Sequence, residues 1–202
     1  MKGRGNPSAV DEKPFTGILA DWQIDKLARR GMITPYHDRK VSFTNEEPCL
    51  SFGLEPFGYT LRLNSKYLRP MHTGETTYAG ATSQEWLQEE PTKKHGKEWV
   101  VVPQSGFVLA SSIEHIALPD NVQAQCLTKS TIAREGGFAN ITWLDAGWSG
   151  YLTIEIANLG SNALALPVGE GVCQLVFHQG LAPNKAYRGR YQNQGRLPQV
   201  AK

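Results

Sequence analysis

Residues 129–155 read KSTIAREGGFANITWLDAGWSGYLTIE, and three pieces of this stretch decide how the chain is read. Lys129, Ser130, Thr131 and Arg134 put two cations and two hydroxyls into one polar turn. Such groups, with the backbone amides around them, suit a polyphosphate; they equally suit a helix start with a solvated face. In residues 145–150, Gly147 and Gly150 bracket Trp148, the pattern of a tight turn between strands in which Asp145 commonly caps its own backbone. The strand that follows sends Leu152, Ile154 and Ile156 to one face and Thr153 and Glu155 to the other. On an open face Glu155 is a surface carboxylate. On the wall of a partly dry pocket, desolvation lifts its pKa towards neutrality and makes it a proton acceptor.

Outward from this stretch, the chain from Trp99 onward alternates short apolar runs with breakers at Pro103, Gly106, Pro119, Gly147, Gly160 and Pro167. That spacing predicts a mainly β protein, a sandwich or barrel. Near the start, a helix is expected with Asp21 as N-cap, Ile24, Leu27 and Ala28 on its buried stripe, and Gly31 as its stop. Between Arg69 and Lys97 the composition is polar, and a short helix is expected over 83–89.

The 202 residues, 40% of them hydrophobic, are enough for one domain with a real core. A net charge of +2 without a continuous basic patch does not point to nucleic acid. No apolar run is long enough for a membrane span. The first fifteen residues lack the apolar core of a secretory signal, so a cytoplasmic setting is expected. The three cysteines, Cys49, Cys126 and Cys173, are far apart in sequence and are read as free thiols. Zinc deaminases hold their metal with His-x-Glu and Pro-Cys-x-x-Cys. Here His95 and His115 lack that context and Pro48-Cys49 has no second cysteine nearby, so no zinc is expected.

With these segments in view, the chain resembles the dCTP deaminase branch of the dUTPase superfamily. The resemblance runs from about Leu19 to Gly195. It is carried by residues 18–24 (ILADWQI), 55–63 (EPFGYTLRL), 103–110 (PQSGFVLA), 116–119 (IALP), the 129–155 stretch, 167–177 (PVGEGVCQLVF) and 190–195 (RYQNQG). It implies a dUTPase-like distorted jelly-roll β-barrel with a short N-terminal helix, assembled as a homotrimer with shared active sites. Residues 1–17 would be a flexible N-terminal tail, 18–183 the barrel domain and 184–202 a tail closing over substrate.

The implied reaction is zinc-independent hydrolysis of a deoxycytidine nucleotide, dCTP to dUTP and ammonia. Glu155 would activate water, with Ser130 and Arg134 as donors beside the base and the water. Lys129, Ser130, Thr131, Arg190 and Gln194 would hold phosphates, with Mg2+ bridging the triphosphate oxygens. Asp145 would meet the deoxyribose 3′-hydroxyl, Thr153 would sit beside the pyrimidine, and Tyr187 would stack on the sugar. Three other readings stay open: a dUTP pyrophosphatase aiming water with Asp145, a bifunctional enzyme, and a non-catalytic nucleotide-binding protein. The chain departs from the family pattern in four places: Lys129 replaces an arginine, Ala146 replaces a proline, two residues fewer separate Arg134 from Asp145, and the tail between Tyr187 and Tyr191 is short.

Overall fold

The computed structural model describes residues 16–72, 74, 76–77, 84–139 and 142–201. Within these residues the expected mainly β architecture is present, as three antiparallel sheets of seven, six and three strands. In the largest sheet, Gly171–Gln179 lies between Val122–Thr128 and Gly58–Arg62, with Cys126 opposite Leu175 and Leu175 opposite Tyr59. In the second, Phe107–Ala117 pairs with Ser149–Asn158, which pairs in turn with Gly137–Ala139. Alternation sends Leu61, Ala124, Ile154, Ile156, Leu175 and Phe177 inward, where they are buried in one hydrophobic core.

The N-terminal helix spans Asp21–Leu27, and its cap is Ala20 rather than the expected Asp21. Gln23 Oε1 accepts from the Ala20 N–H at 3.0 Å, and the Asp21 carboxylate accepts from the Trp22 N–H inside the first turn. A carboxylate there still suits the positive end of the helix. Ile24 and Ala28 are buried, and Gly31, at φ 101°, turns the chain out of the helix as expected.

The helix expected over 83–89 is instead a strand. Trp86–Glu89 pairs with Tyr67–Pro70, and the Trp86 ring meets the edge of Phe107 at 5.6 Å; Ser83 lies outside the described residues. Gln, Glu and Leu favour a helix, but so short a run cannot nucleate one alone, and an available sheet edge wins. Most of the expected 1–17 tail lies outside the described residues too, while Gly17 and Ile18 pair with Gln179 and His178.

Cys126 and Cys173 are free and fully buried on neighbouring strands. A hydrogen bond with Cys126, together with burial, holds the Cys173 thiol well above its usual range, so it stays protonated and inert. The core also contains an acid that the sequence reading missed. Glu114 is fully buried and accepts from Arg62 Nε at 2.7 Å and from the Arg62 backbone N–H at 2.9 Å. Burial raises its pKa and Arg62 opposes that shift.

Candidate active site

The site is built on the pair Phe107–Ala117 and Ser149–Asn158. Leu109 stands opposite Glu155 and Ser111 opposite Thr153. The predicted alternation holds for Ile154 and Ile156, which are buried away from the cavity lined by Thr153 and Glu155; Leu152, also buried, borders that cavity too. This cavity has a volume of about 520 Å³. Its walls bring together five residues singled out in the sequence, Asp145, Thr153, Glu155, Tyr187 and Gln194, from three separate segments.

The turn before the strand is fixed from several sides. The Trp148 N–H donates to the Asp145 carbonyl at 3.0 Å, and the Gly147 N–H to the Pro119 carbonyl at 3.1 Å. The buried Trp148 indole donates to the Tyr191 carbonyl at 2.8 Å, so this ring locks the turn to the C-terminal tail. Asp145 remains exposed at the cavity mouth. Gly150, at φ 151°, leaves room for the tail, since a Cβ here would come within 2.6 Å of the Gln194 nitrogen.

Glu155 is exposed in the single chain, yet it lines the cavity whose apolar wall is supplied by Trp86, Phe107, Leu109 and Trp143. Desolvation therefore raises its carboxyl above the usual range, opposed only by a hydrogen bond from its own backbone. Trp143 belongs to the 138–143 segment that the resemblance places against the base, whereas Trp86, Phe107 and Leu109 were not found from sequence, because they come from strands distant in the chain from Glu155. Trp86 in particular sat in the run read as helical.

The tail forms the remaining wall. The Asn193 N–H donates to the Ser149 carbonyl at 2.8 Å, and the Tyr151 N–H to the Gln194 carbonyl at 3.0 Å. Gln194 Oε1 accepts from the Thr153 N–H at 3.1 Å and from the Thr153 hydroxyl at 3.0 Å. Gln194 is thus buried on Thr153 itself, while Arg190 is exposed and does not line the cavity.

The polar turn forms the single-turn helix Ser130–Arg134, with Ser130, Thr131 and Arg134 exposed and Ile132 buried. None of them lines the Glu155 cavity of the same chain. Thr131 borders a second cavity with Pro48, Lys97 and Glu170. Lys129 Nζ donates to Ser51 Oγ at 2.9 Å, and burial lowers its pKa while Glu55 opposes. Within one chain the cationic cluster and the acid pair are therefore separate surfaces. Asn140 and Ile141, from the stretch shortened between Arg134 and Asp145, lie outside the described residues. Also among the described residues, no helix is long and apolar enough to cross a membrane.

A family model described as dCTP deaminase-like matches residues 18–180. The chain is 30% identical over 178 residues to a dCTP deaminase of Protochlamydia amoebophila, covering 86% of this chain and 93% of that one. It is 32% identical over 191 residues to a dCTP deaminase of Acidobacterium capsulatum, covering 88% of this chain and 94% of the other. Among solved structures, a 2′-deoxycytidine 5′-triphosphate deaminase from Agrobacterium tumefaciens shares the fold with a TM-score of 0.60 at 21% identity. That match covers 82% of this chain and 49% of the solved one, so the chain spans about half the length of that protein.

Proposed function

The chain belongs to the dCTP deaminase-like family, and from that premise we propose that it hydrolyses dCTP to dUTP and ammonia in pyrimidine deoxynucleotide metabolism, as a cytoplasmic enzyme. One observation carries the reading for these residues: Glu155, an acid with a raised pKa, shares a single cavity with Asp145 and Thr153.

Glu155 takes a proton from water as hydroxide adds to C4 of the cytosine, and the N3 position receives that proton. The same carboxyl then removes the proton of the new hydroxyl and delivers it to the 4-amino group, which leaves as ammonia while the C4 carbonyl forms. General acid–base help of this kind supplies roughly 10²- to 10⁴-fold. The rest of the acceleration comes from positioning and from donors to the tetrahedral intermediate. Asp145 holds the deoxyribose 3′-hydroxyl, Tyr187 covers the sugar, and the Thr153 backbone reads the base edge once Gln194 has moved off it.

Ser130 and Arg134 are the donors beside the base, and Lys129, Ser130, Thr131, Arg190 and Gln194 take the phosphates with the Mg2+ that the triphosphate carries. Because the helix carrying Ser130 and Arg134 does not line the Glu155 cavity of its own chain, each site draws these residues from a neighbouring copy in a homotrimer. The barrel domain of residues 18–183 supplies the walls and residues 184–202 the closing tail. Asp145 and Glu155 on one cavity also favour a second reading, a bifunctional enzyme that goes on to cleave dUTP to dUMP and pyrophosphate.

The test is incubation with Mg2+ and, separately, dCTP, dCMP and dUTP, with ammonia and nucleotide products measured for the native chain and Glu155→Gln. Ammonia from dCTP in the native chain only, with nucleotide still bound by the variant, is the expected result. Equal release by both removes Glu155 from the mechanism, and pyrophosphate from dUTP identifies the bifunctional enzyme.

A further inference from the structure

Gln199 lies beyond every motif discussed so far, in the last residues of the tail. Its backbone N–H donates to the Thr153 hydroxyl at 3.0 Å, and its side chain lines the cavity that holds Glu155. Its carboxamide oxygen is buried and, among the described residues, accepts no hydrogen bond. Thr153 and Glu155 are two residues apart on one strand face, which sets their side chains about 7 Å apart. One end of Gln199 is thereby anchored within a pyrimidine's width of the catalytic acid. A buried carbonyl oxygen without a donor is costly, and a donor arriving in the cavity relieves that cost.

The two pyrimidines of the reaction reverse their hydrogen-bonding sense at two positions, N3, which gains a proton, and the 4-substituent, which is the one that concerns Gln199. Cytosine carries a 4-amino donor, whereas the deaminated ring carries an acceptor oxygen there, as thymine does. We infer that Gln199 is a specificity-determining residue, whose carboxamide oxygen accepts from the 4-amino group of the substrate and opposes the 4-oxo group of the product. This rests on the reading of the cavity as a cytosine site. Substrate then supplies the missing donor and holds the tail down. Deamination replaces that donor with a second acceptor, so chemistry itself loosens the closure and favours release.

The experiment separates this inference from the activity. Mg2+-dCTP and Mg2+-dUTP are titrated calorimetrically into the full chain carrying Glu155→Gln, alone and combined with Gln199→Met or Gln199→Glu. Both substitutions keep the backbone N–H that anchors the tail; Met removes the acceptor and Glu retains one. The Glu155→Gln chain binds dCTP more tightly than dUTP, Gln199→Met narrows that ratio about tenfold, and Gln199→Glu preserves the preference for dCTP. No preference at the outset, an unchanged ratio in the Met variant, or equal loss in Met and Glu overturns the inference. Absence of ammonia release by the native chain sinks the deaminase reading instead, and leaves these affinity ratios to decide the role of Gln199.

Discussion

Gln194 is joined to Thr153 twice: its carboxamide oxygen accepts from the Thr153 N–H and from the Thr153 hydroxyl, at 3.1 and 3.0 Å. The same hydroxyl accepts from the Gln199 N–H. One threonine on the cavity wall therefore fastens the tail at two points five residues apart.

Thr153→Val keeps the β-branched shape and removes that hydroxyl. Two side-chain-mediated ties are lost while the backbone bond to Gln194 survives. The expected result is a KM for dCTP raised about fivefold with kcat little changed, as the tie to Gln199, roughly 1 kcal/mol, disappears from the liganded state, whereas the tie to Gln194 is already given up when substrate binds. Limited proteolysis should cut the tail of the variant sooner. Native protease resistance with an unchanged KM would show that the fastening has no energetic weight.

The raised carboxyl of Glu155 sets the acid limb of activity, because the group must be ionised to accept a proton. The kcat/KM for dCTP should rise with pH through a midpoint above the ordinary carboxylate value of about 4.3. The stability effect has the opposite sense. A carboxyl raised in the folded state binds protons more tightly there than in the unfolded chain, so its contribution falls as pH rises from the unfolded to the folded value. Glu155→Gln should therefore gain stability over the native chain across that window, measured by urea unfolding at several pH values. A variant that loses ground as pH rises would reverse the assigned shift.

Removing one partner of the Arg62–Glu114 pair leaves a buried carboxylate exposed to desolvation. Arg62→Met should cost about 3–5 kcal/mol at neutral pH, where breaking a buried pair is most expensive. The loss should shrink in acid, where Glu114 is protonated. Pairing Arg62→Met with Glu114→Gln should recover much of it, and equal losses in the single and double variants would show that the charge pair is not what matters.

A trimer with sites between copies makes a specific statement about mixtures. Solution mass should equal three chains. Glu155→Gln and Arg134→Ala homotrimers should each be inactive, yet chains unfolded together and reassembled one to one should regain about a quarter of native activity, the fraction of boundaries with both residues intact under random mixing. Mixtures as inactive as their parents would place Glu155 and Arg134 in one chain's site or in different processes.

The parts of this molecule that could be read in advance are those where local pattern and final environment coincide. The strand Ser149–Asn158 alternates cleanly, so the opposite facing of Ile154 and Glu155 follows from the backbone alone. Gly31 and the glycines around Trp148 mark turns because few other residues tolerate those conformations. What escaped depended on partners remote in sequence. Leu109 meets Glu155 only through strand register, and Trp86 reaches the cavity only because its run joins a sheet instead of coiling. Glu114 gave no sign of burial, since its cation lies 52 residues away. Ser130 and Arg134 are close to Glu155 in sequence but not in the cavity of one chain: their helix abuts Gly137–Ala139, which pairs with the Asn158 end of the strand, whereas the Asp145 turn leads into the Ser149 end.

The route of the last residues has a practical side. Ala201 borders the cavity, and Gln199 and Gln194 sit within its wall, so a purification handle or fluorescent fusion joined at this end would emerge directly over the reaction chamber. Assays on chains carrying such a handle would report its obstruction as much as the chemistry.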